Sequence, residues 1–248
     1  MMFSKALVAV VALLVAGSSS APIKHRREVP QEHSHEKIIT VVRASLNLNN
    51  PDQIQDPIFA LLGDAAAAAG AGKITDLACL QQAVADQAFT NAKAANDTEG
   101  MTNALIFRAL ERNTGKVGLA SELCTQTAKN PEIQALTQHQ DPASENAAAT
   151  NKAIALELAK QIASVGGDPL DALLSGTFAP GDVNDATGKG NTCDDADDKE
   201  GCIFTQNLLV PDLTEDEIKA AVGNNTAVDQ VDNNADEGAD GDDKAHEG

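Results

Sequence analysis

SENAAATNKAIALELAKQIASVGG (residues 144–167) decides how this chain is read. Ile154, Leu158, Ile162 and Val165 recur at helical spacing, Ala155, Ala159 and Ala163 lie between them, and Gly166-Gly167 stops the run as a C-terminal cap does. Ala has the highest helix propensity and lets helix axes approach closely. The apolar arc is wide, so the segment is expected at the centre of a helical bundle.

Similar signals lie on both sides. The Asx-Pro pairs Asp56-Pro57, Asn130-Pro131, Asp141-Pro142 and Asp168-Pro169 join a side chain that caps backbone N–H groups to a residue suited to the first helical turn. Ile58, Leu61, Leu62 and Ala65 follow the first pair, and Leu170, Leu173 and Leu174 the last. Asp76 is read as the cap of a helix striped by Leu77, Leu80, Val84, Ala88 and Phe89. Thr98 opens another carrying Met101, Leu105, Ala109 and Leu110, ended by Gly115. Thr214-Glu215-Asp216-Glu217 is a capping box for a last helix bearing Ile218 and Val222. Ile38 to Leu48 is compatible with strand or helix. Few alternating β-branched runs remain, so the fold class is all-α, a bundle of about five to seven Ala-rich helices.

With 43 Ala among 248 residues, no Trp or Tyr and six Phe, the core is built from small side chains. A formal charge of −19 opposes binding to nucleic acid or anionic lipid, which depends on Lys and Arg. Missing indole and phenol rings disfavour a sugar site built on aromatic stacking.

Residues 1–20 read as a secretory signal peptide: Lys5, then the 11-residue apolar run Ala6 to Ala16, then small residues. The run is shorter than the roughly 20 residues needed to cross a bilayer, and the polar C-terminus carries no lipid-anchor signal, so no membrane anchor is expected. Residues 21–37 are assigned to a propeptide or mobile arm. Within it, Lys24-His25-Arg26-Arg27 is a dibasic processing site, with Arg26 and Arg27 as the residues recognised. Cleavage after Arg27 removes four basic side chains and no acid, taking the formal charge from −19 to −23.

The domain assigned to residues 38–222 holds all four cysteines. In an exported chain they are expected to pair. Of three connectivities, Cys79–Cys124 and Cys193–Cys202 each stay within one block, the second closing an acidic loop. Loop closure gives about 4 kcal/mol for the long link and about 3 kcal/mol for the short one. A zinc site would want CxxC spacing or nearby His, and neither is present. Asn96 and Asn224 begin Asn-x-Thr glycosylation sequons. Residues 223–248 are read as a disordered acidic tail; from 229 onward it carries eight acids and one Lys.

Chemistry-bearing motifs are scarce. Asp236 to Glu247 matches a calcium loop at positions 1, 5, 6 and 12 but has Gly at position 3, and is read as solvated tail. There is no G-x-S-x-G elbow, and Gly188-Lys189-Gly190 lacks the context of a phosphate loop. His33 and His35 fall in the arm, and His139 is read as a solvated turn residue beside a capping Asp141. No catalytic, metal or cofactor site is therefore assigned.

GDAAAAAGAGKITD (63–76), ALIFRALERNTGKVGLAS (104–121), HQDPASENAAATNKAIALELAKQIASVGGDPLDAL (139–173) and NTCDDADDKEGCIFTQNLLVPD (191–212) resemble a group of small secreted ascomycete proteins known as cell-wall or cell-surface proteins. The likeness spans about residues 37–222. It implies an extracellular protein associated with the cell wall or the culture fluid, on spores or infection structures, with cell-wall components or a host surface as partner. The group offers no catalytic residues to carry over, so the expected function is a non-enzymatic structural or surface role. The alternative is a secreted effector or carrier of a small apolar ligand.

Overall fold

The computed structural model describes residues 33–228. In chain order its helices are α1 (Glu36–Leu48), α2 (Asp64–Ala67), α3 (Leu80–Ala94), α4 (Thr98–Ala109), α5 (Pro131–Gln134), α6 (Ala147–Ser164), α7 (Cys202–Thr205) and α8 (Glu215–Val228). Three 3₁₀ segments join them: Pro57–Leu61, Leu77–Cys79 and Pro169–Ser175. Among the described residues there is no strand, only the isolated antiparallel bridge between Thr177 and Val210. The chain is an all-α protein with two disulfides.

The helix stripes pack as their spacing requires. Ile38, Ile39, Val42 and Leu46 of α1 meet Leu80, Val84, Ala88 and Phe89 of α3 and Leu105, Ile106 and Phe107 of α4 in one core. The run that is ambiguous in sequence becomes helix because it buries one face on two neighbours. Gly166, at φ +83, closes α6: its N–H donates to Ala163 and that of Gly167 to Ile162. Asp56 and Asp168 cap their segments through Ile58 and Leu170 N–H, and Thr214 and Glu217 bond reciprocally as a capping box.

Centrality goes to α3, where 11 of 15 residues are buried, rather than to α6, where 7 of 18 are. The reason is polar. Gln81 donates to the carbonyls of Phe107 and Leu110 at 2.8 Å each, closing the C-terminus of α4. Asn91 donates to Ser45 and Asn49 carbonyls, closing α1. Asp86 accepts from the N–H groups of Lys129 and Asn130 ahead of α5. The orphaned termini of three neighbours are thus satisfied from one helix.

These contacts correct several expected boundaries. α4 ends at Ala109, not Gly115, because its last carbonyls are taken by Gln81 and by the His139 N–H. α6 begins at Ala147, after a left-handed Asn146, instead of at Ser144. Asp141 starts no helix: its carboxylate accepts from Ala143 and from the distant Gly118 N–H. Asp76 makes no cap and instead accepts from Gln126. α8 continues through Gly223, which lowers helix propensity without ending the helix, so residues 223–228, assigned to the tail, are helical.

The segment expected as a mobile arm is docked from residue 33 on. Ser34, His35 and Glu36 are buried. The Ser34 carbonyl accepts from Ile203 N–H, and Lys37 N–H donates to Glu200. His33 lies 2.7 Å from Asp194, and the Lys37 ammonium stands 4.2 Å from the centre of the Phe204 ring. Gly201 makes this approach possible, since at φ +107 an added Cβ would lie 2.4 Å from the Ser34 carbonyl oxygen. A polar stretch looks solvated in sequence because its partners lie more than 140 residues away.

Candidate functional site

The ionisable groups that composition leaves unexplained gather where α4 runs out. Beyond Ala109 the chain passes Glu111, turns, and returns through residues 138–141 beside it. Asn151 of α6 pairs with the backbone of Gln140 in both directions, at 2.8 and 2.9 Å, and fixes that return. The turn after Pro169–Ser175 and the approach to α8 at Asp212 close the group.

His139 is fully buried, contrary to the solvated turn expected for it. Its Nδ1 lies 2.8 Å from the Ser175 carbonyl oxygen, and a carbonyl can only accept, so Nδ1 carries the proton. Nε2 then faces Asp212 Oδ2 at 3.8 Å, too far for a hydrogen bond, and neither atom has another partner. His35 donates from Nε2 to the next carbonyl, Gly176, at 3.2 Å, while Nδ1 meets the Ser34 hydroxyl. Two histidines from distant segments thus hold consecutive carbonyls. Burial pushes both imidazoles down to about 4, so both are neutral at pH 7.

Glu111 is 8% exposed. Burial first, then repulsion from Asp141 and Asp212, pushes its carboxyl up to about 8. Burial raises Asp212 to about 6. Beside Glu111 and Asp141 lies a void of about 10 Å³, enough for one water, bordered also by Phe178 and Asn191. Arg108, almost fully buried, donates to Gln138 Oε1 at 3.1 Å, and its Nε has no partner. Glu111, Asp212, His35 and His139 thus form a buried seam in which burial disfavours the charged form of each group. Among the described residues, no three of His, Cys, Asp and Glu come together as a metal-holding group.

The residues singled out in sequence lie elsewhere. Cys79 is bonded to Cys124 and Cys193 to Cys202, as their blocks suggested. Cys193 and Cys202 join Phe178 and Ile203 in a small second core, with Phe204 and Leu209 packed on it. Asn96 is exposed in the turn between α3 and α4, in the left-handed region at φ +54, a position open to a glycan. Asn224 falls within α8. The signal peptide, the Arg26-Arg27 site and residues 229–248 lie outside the described residues.

Sequence reading missed Glu111, Asp212 and both buried histidines. One signal was available for Glu111: it continues the buried run ALIFRAL (104–110) without a break. For His35 and His139 there was none, because their partners are backbone carbonyls of a remote turn. Among the described residues, no helix is long and apolar enough to cross a membrane. No protein-family model, curated protein or solved structure matches the chain.

Proposed function

We propose that the chain is an exported, non-enzymatic surface protein, held non-covalently in a fungal cell wall. The observation that carries this reading is the pairing of all four cysteines, Cys79 with Cys124 and Cys193 with Cys202. Disulfides of this kind form and persist in oxidising compartments. They fit the signal-like residues 1–20, and the wall association comes from the family resemblance. The non-enzymatic part is supported by the burial of His139 and Glu111, each held in the interior rather than at an open surface. An apolar-ligand carrier gains nothing comparable. A cleft of about 410 Å³ is bordered by Asp64, Arg112, Asn113 and Glu122, and a hollow of about 180 Å³ by Asp52, Gln82, Asp86 and Lys129.

The test is a tagged copy in its own organism, with walls extracted in turn by salt, detergent and reductant. The tag is expected in the wall fraction and released by these agents. Tag recovered from the cytosol overturns export, and tag found only in the medium overturns wall retention.

A further inference from the structure

We infer that His139 and Asp212 form a proton-operated clasp on the entry of α8: one proton taken up between Asp212 Oδ2 and His139 Nε2 closes the contact, and its loss opens it. The clasp goes beyond the surface-protein reading and does not depend on it.

The contact is one hydrogen short of a bond. Ser175, 1% exposed, takes the Nδ1–H of His139 on its carbonyl at 2.8 Å, so Nε2 presents a lone pair. Asp212 Oδ2 faces it at 3.8 Å, and among the described residues neither atom has a hydrogen-bond partner. Two acceptors thus oppose each other in the interior with no donor between them. The gap is too long for a hydrogen bond and too short for a bridging water, which needs about 4.5 Å or more. One added proton changes this: a carboxylic O–H donates to the Nε2 lone pair at about 2.7 Å, and two orphaned acceptors become one satisfied pair. Asp212 can receive that proton from water, because its side chain is 14% exposed while Oδ2 is covered.

The histidine is the fixed jaw. Its backbone N–H donates to the Ala109 carbonyl, and Asn151 holds the next residue in both directions. Asp212 is the moving jaw, two residues ahead of the Thr214 capping box that opens α8. Between 212 and 223 the buried apolar side chains are Leu213 and Ile218, helped by Val222 and by the Lys152–Glu217 ion pair to α6. A helix held by so few contacts opens locally, and one hydrogen bond at its entry changes how often.

Neighbouring charges set the working range. Glu111 comes from the end of α4 and Asp141 from the return loop, and Glu111 is repelled by Asp141 and Asp212, so each ionised carboxyl favours a proton on the others. Arg108 is engaged with Gln138. His35 faces His139 from the N-terminal segment, with Lys37 behind it, and the Asn151 carbonyl of α6 favours a charged ring. Asp171 of the Pro169–Ser175 segment interacts with Asp168 and Lys37, and Glu217 of α8 with Lys152 and Thr214. Burial raises Asp212 from 3.8 to about 6, so its contribution is complete below 3.8 and lost as pH climbs through about 6. Burial lowers His139 from 6.5 to about 4, so the lone pair is withdrawn as pH falls through about 4. The O–H···N clasp is therefore closed between about pH 4 and 6 and open above.

The test is NMR and hydrogen exchange on the full chain with disulfides intact. The Asp212 carboxyl carbon and the His139 Nε2 resonance should move together in one step near pH 6, with the ring neutral on both sides of it. Asp212→Asn places an N–H donor where the acid proton would sit. At pH 8 it should protect the amides of residues 216–222 about tenfold more than the parent, and at pH 5 it should match the parent within about twofold. Glu111→Gln, which removes the other raised carboxyl, should keep the parent's pH dependence in those amides. Titration of Asp212 near 3.8, a step near pH 6 that His139 Nε2 does not sense, or α8 protection in Asp212→Asn that still follows pH as the parent's does overturns the clasp. The resonances of the parent decide the matter if a variant fails to fold.

Discussion

Replacing Glu111 by Gln should change stability in a way that depends on pH. Gln keeps the shape of the protonated acid and cannot ionise. In the folded chain the carboxyl titrates at about 8 against an ordinary 4.5. A raised value of this kind favours the folded state below the unfolded pKa, and that advantage is lost as pH climbs through the folded one. At about 1.4 kcal/mol per pH unit, the loss reaches about 3 kcal/mol at pH 7 and saturates near 5 kcal/mol above the folded value. Domains of this size have about 5–15 kcal/mol in total, so the change is large. Urea unfolding followed by far-UV circular dichroism, with disulfides intact, measures it. Near pH 5 the variant and parent should agree within about 1 kcal/mol, and near pH 8.5 the variant should be more stable by about 3–5 kcal/mol. Asp212 titrates in both proteins, and its repulsion with Glu111 is part of the difference being measured. A stability difference that is the same at both pH values, or a variant less stable at the alkaline one, refutes the buried-acid account.

Three other outcomes follow from the same structure. His35 and His139 should keep neutral ring resonances in NMR until about pH 4, whereas the unfolded chain titrates near 6.5; stability therefore falls on acidification between those values, and titration near 6.5 in the native spectrum would contradict their burial. Gln81→Ala leaves the Phe107 and Leu110 carbonyls without their side-chain donor and should cost about 2–4 kcal/mol in urea unfolding, an effect under about 0.5 kcal/mol showing that α3 does not close α4. Cys193→Ser with Cys202→Ser should cost about 3 kcal/mol and raise amide exchange at residues 33–37, which dock on that loop; unchanged exchange there would separate the docking from the disulfide.

Helix periodicity carried the fold class. The stripes of α3, α4 and α6, the Asp56 and Asp168 caps, the Gly166-Gly167 stop and the Thr214 box all rest on spacings of a few residues, so one chain segment contains cause and effect. Cysteine pairing was legible for a related reason, each pair closing within one block. Helix ends were not. α4 stops where Gln81 reaches it, and Asp141 turns toward Gly118, both through partners at long sequence separation.

The seam was invisible for the same cause. A histidine or glutamate reads as solvated until something else covers it, and what covers His35, Glu111 and His139 comes from turns and helices far along the chain. By itself the sequence determined that this chain is helical, cross-linked and small in its side chains, because propensity, period and cysteine spacing are local. Only the tertiary structure decided which polar groups lie in the interior and which have no partner, because desolvation and hydrogen bonding depend on everything that packs around a group.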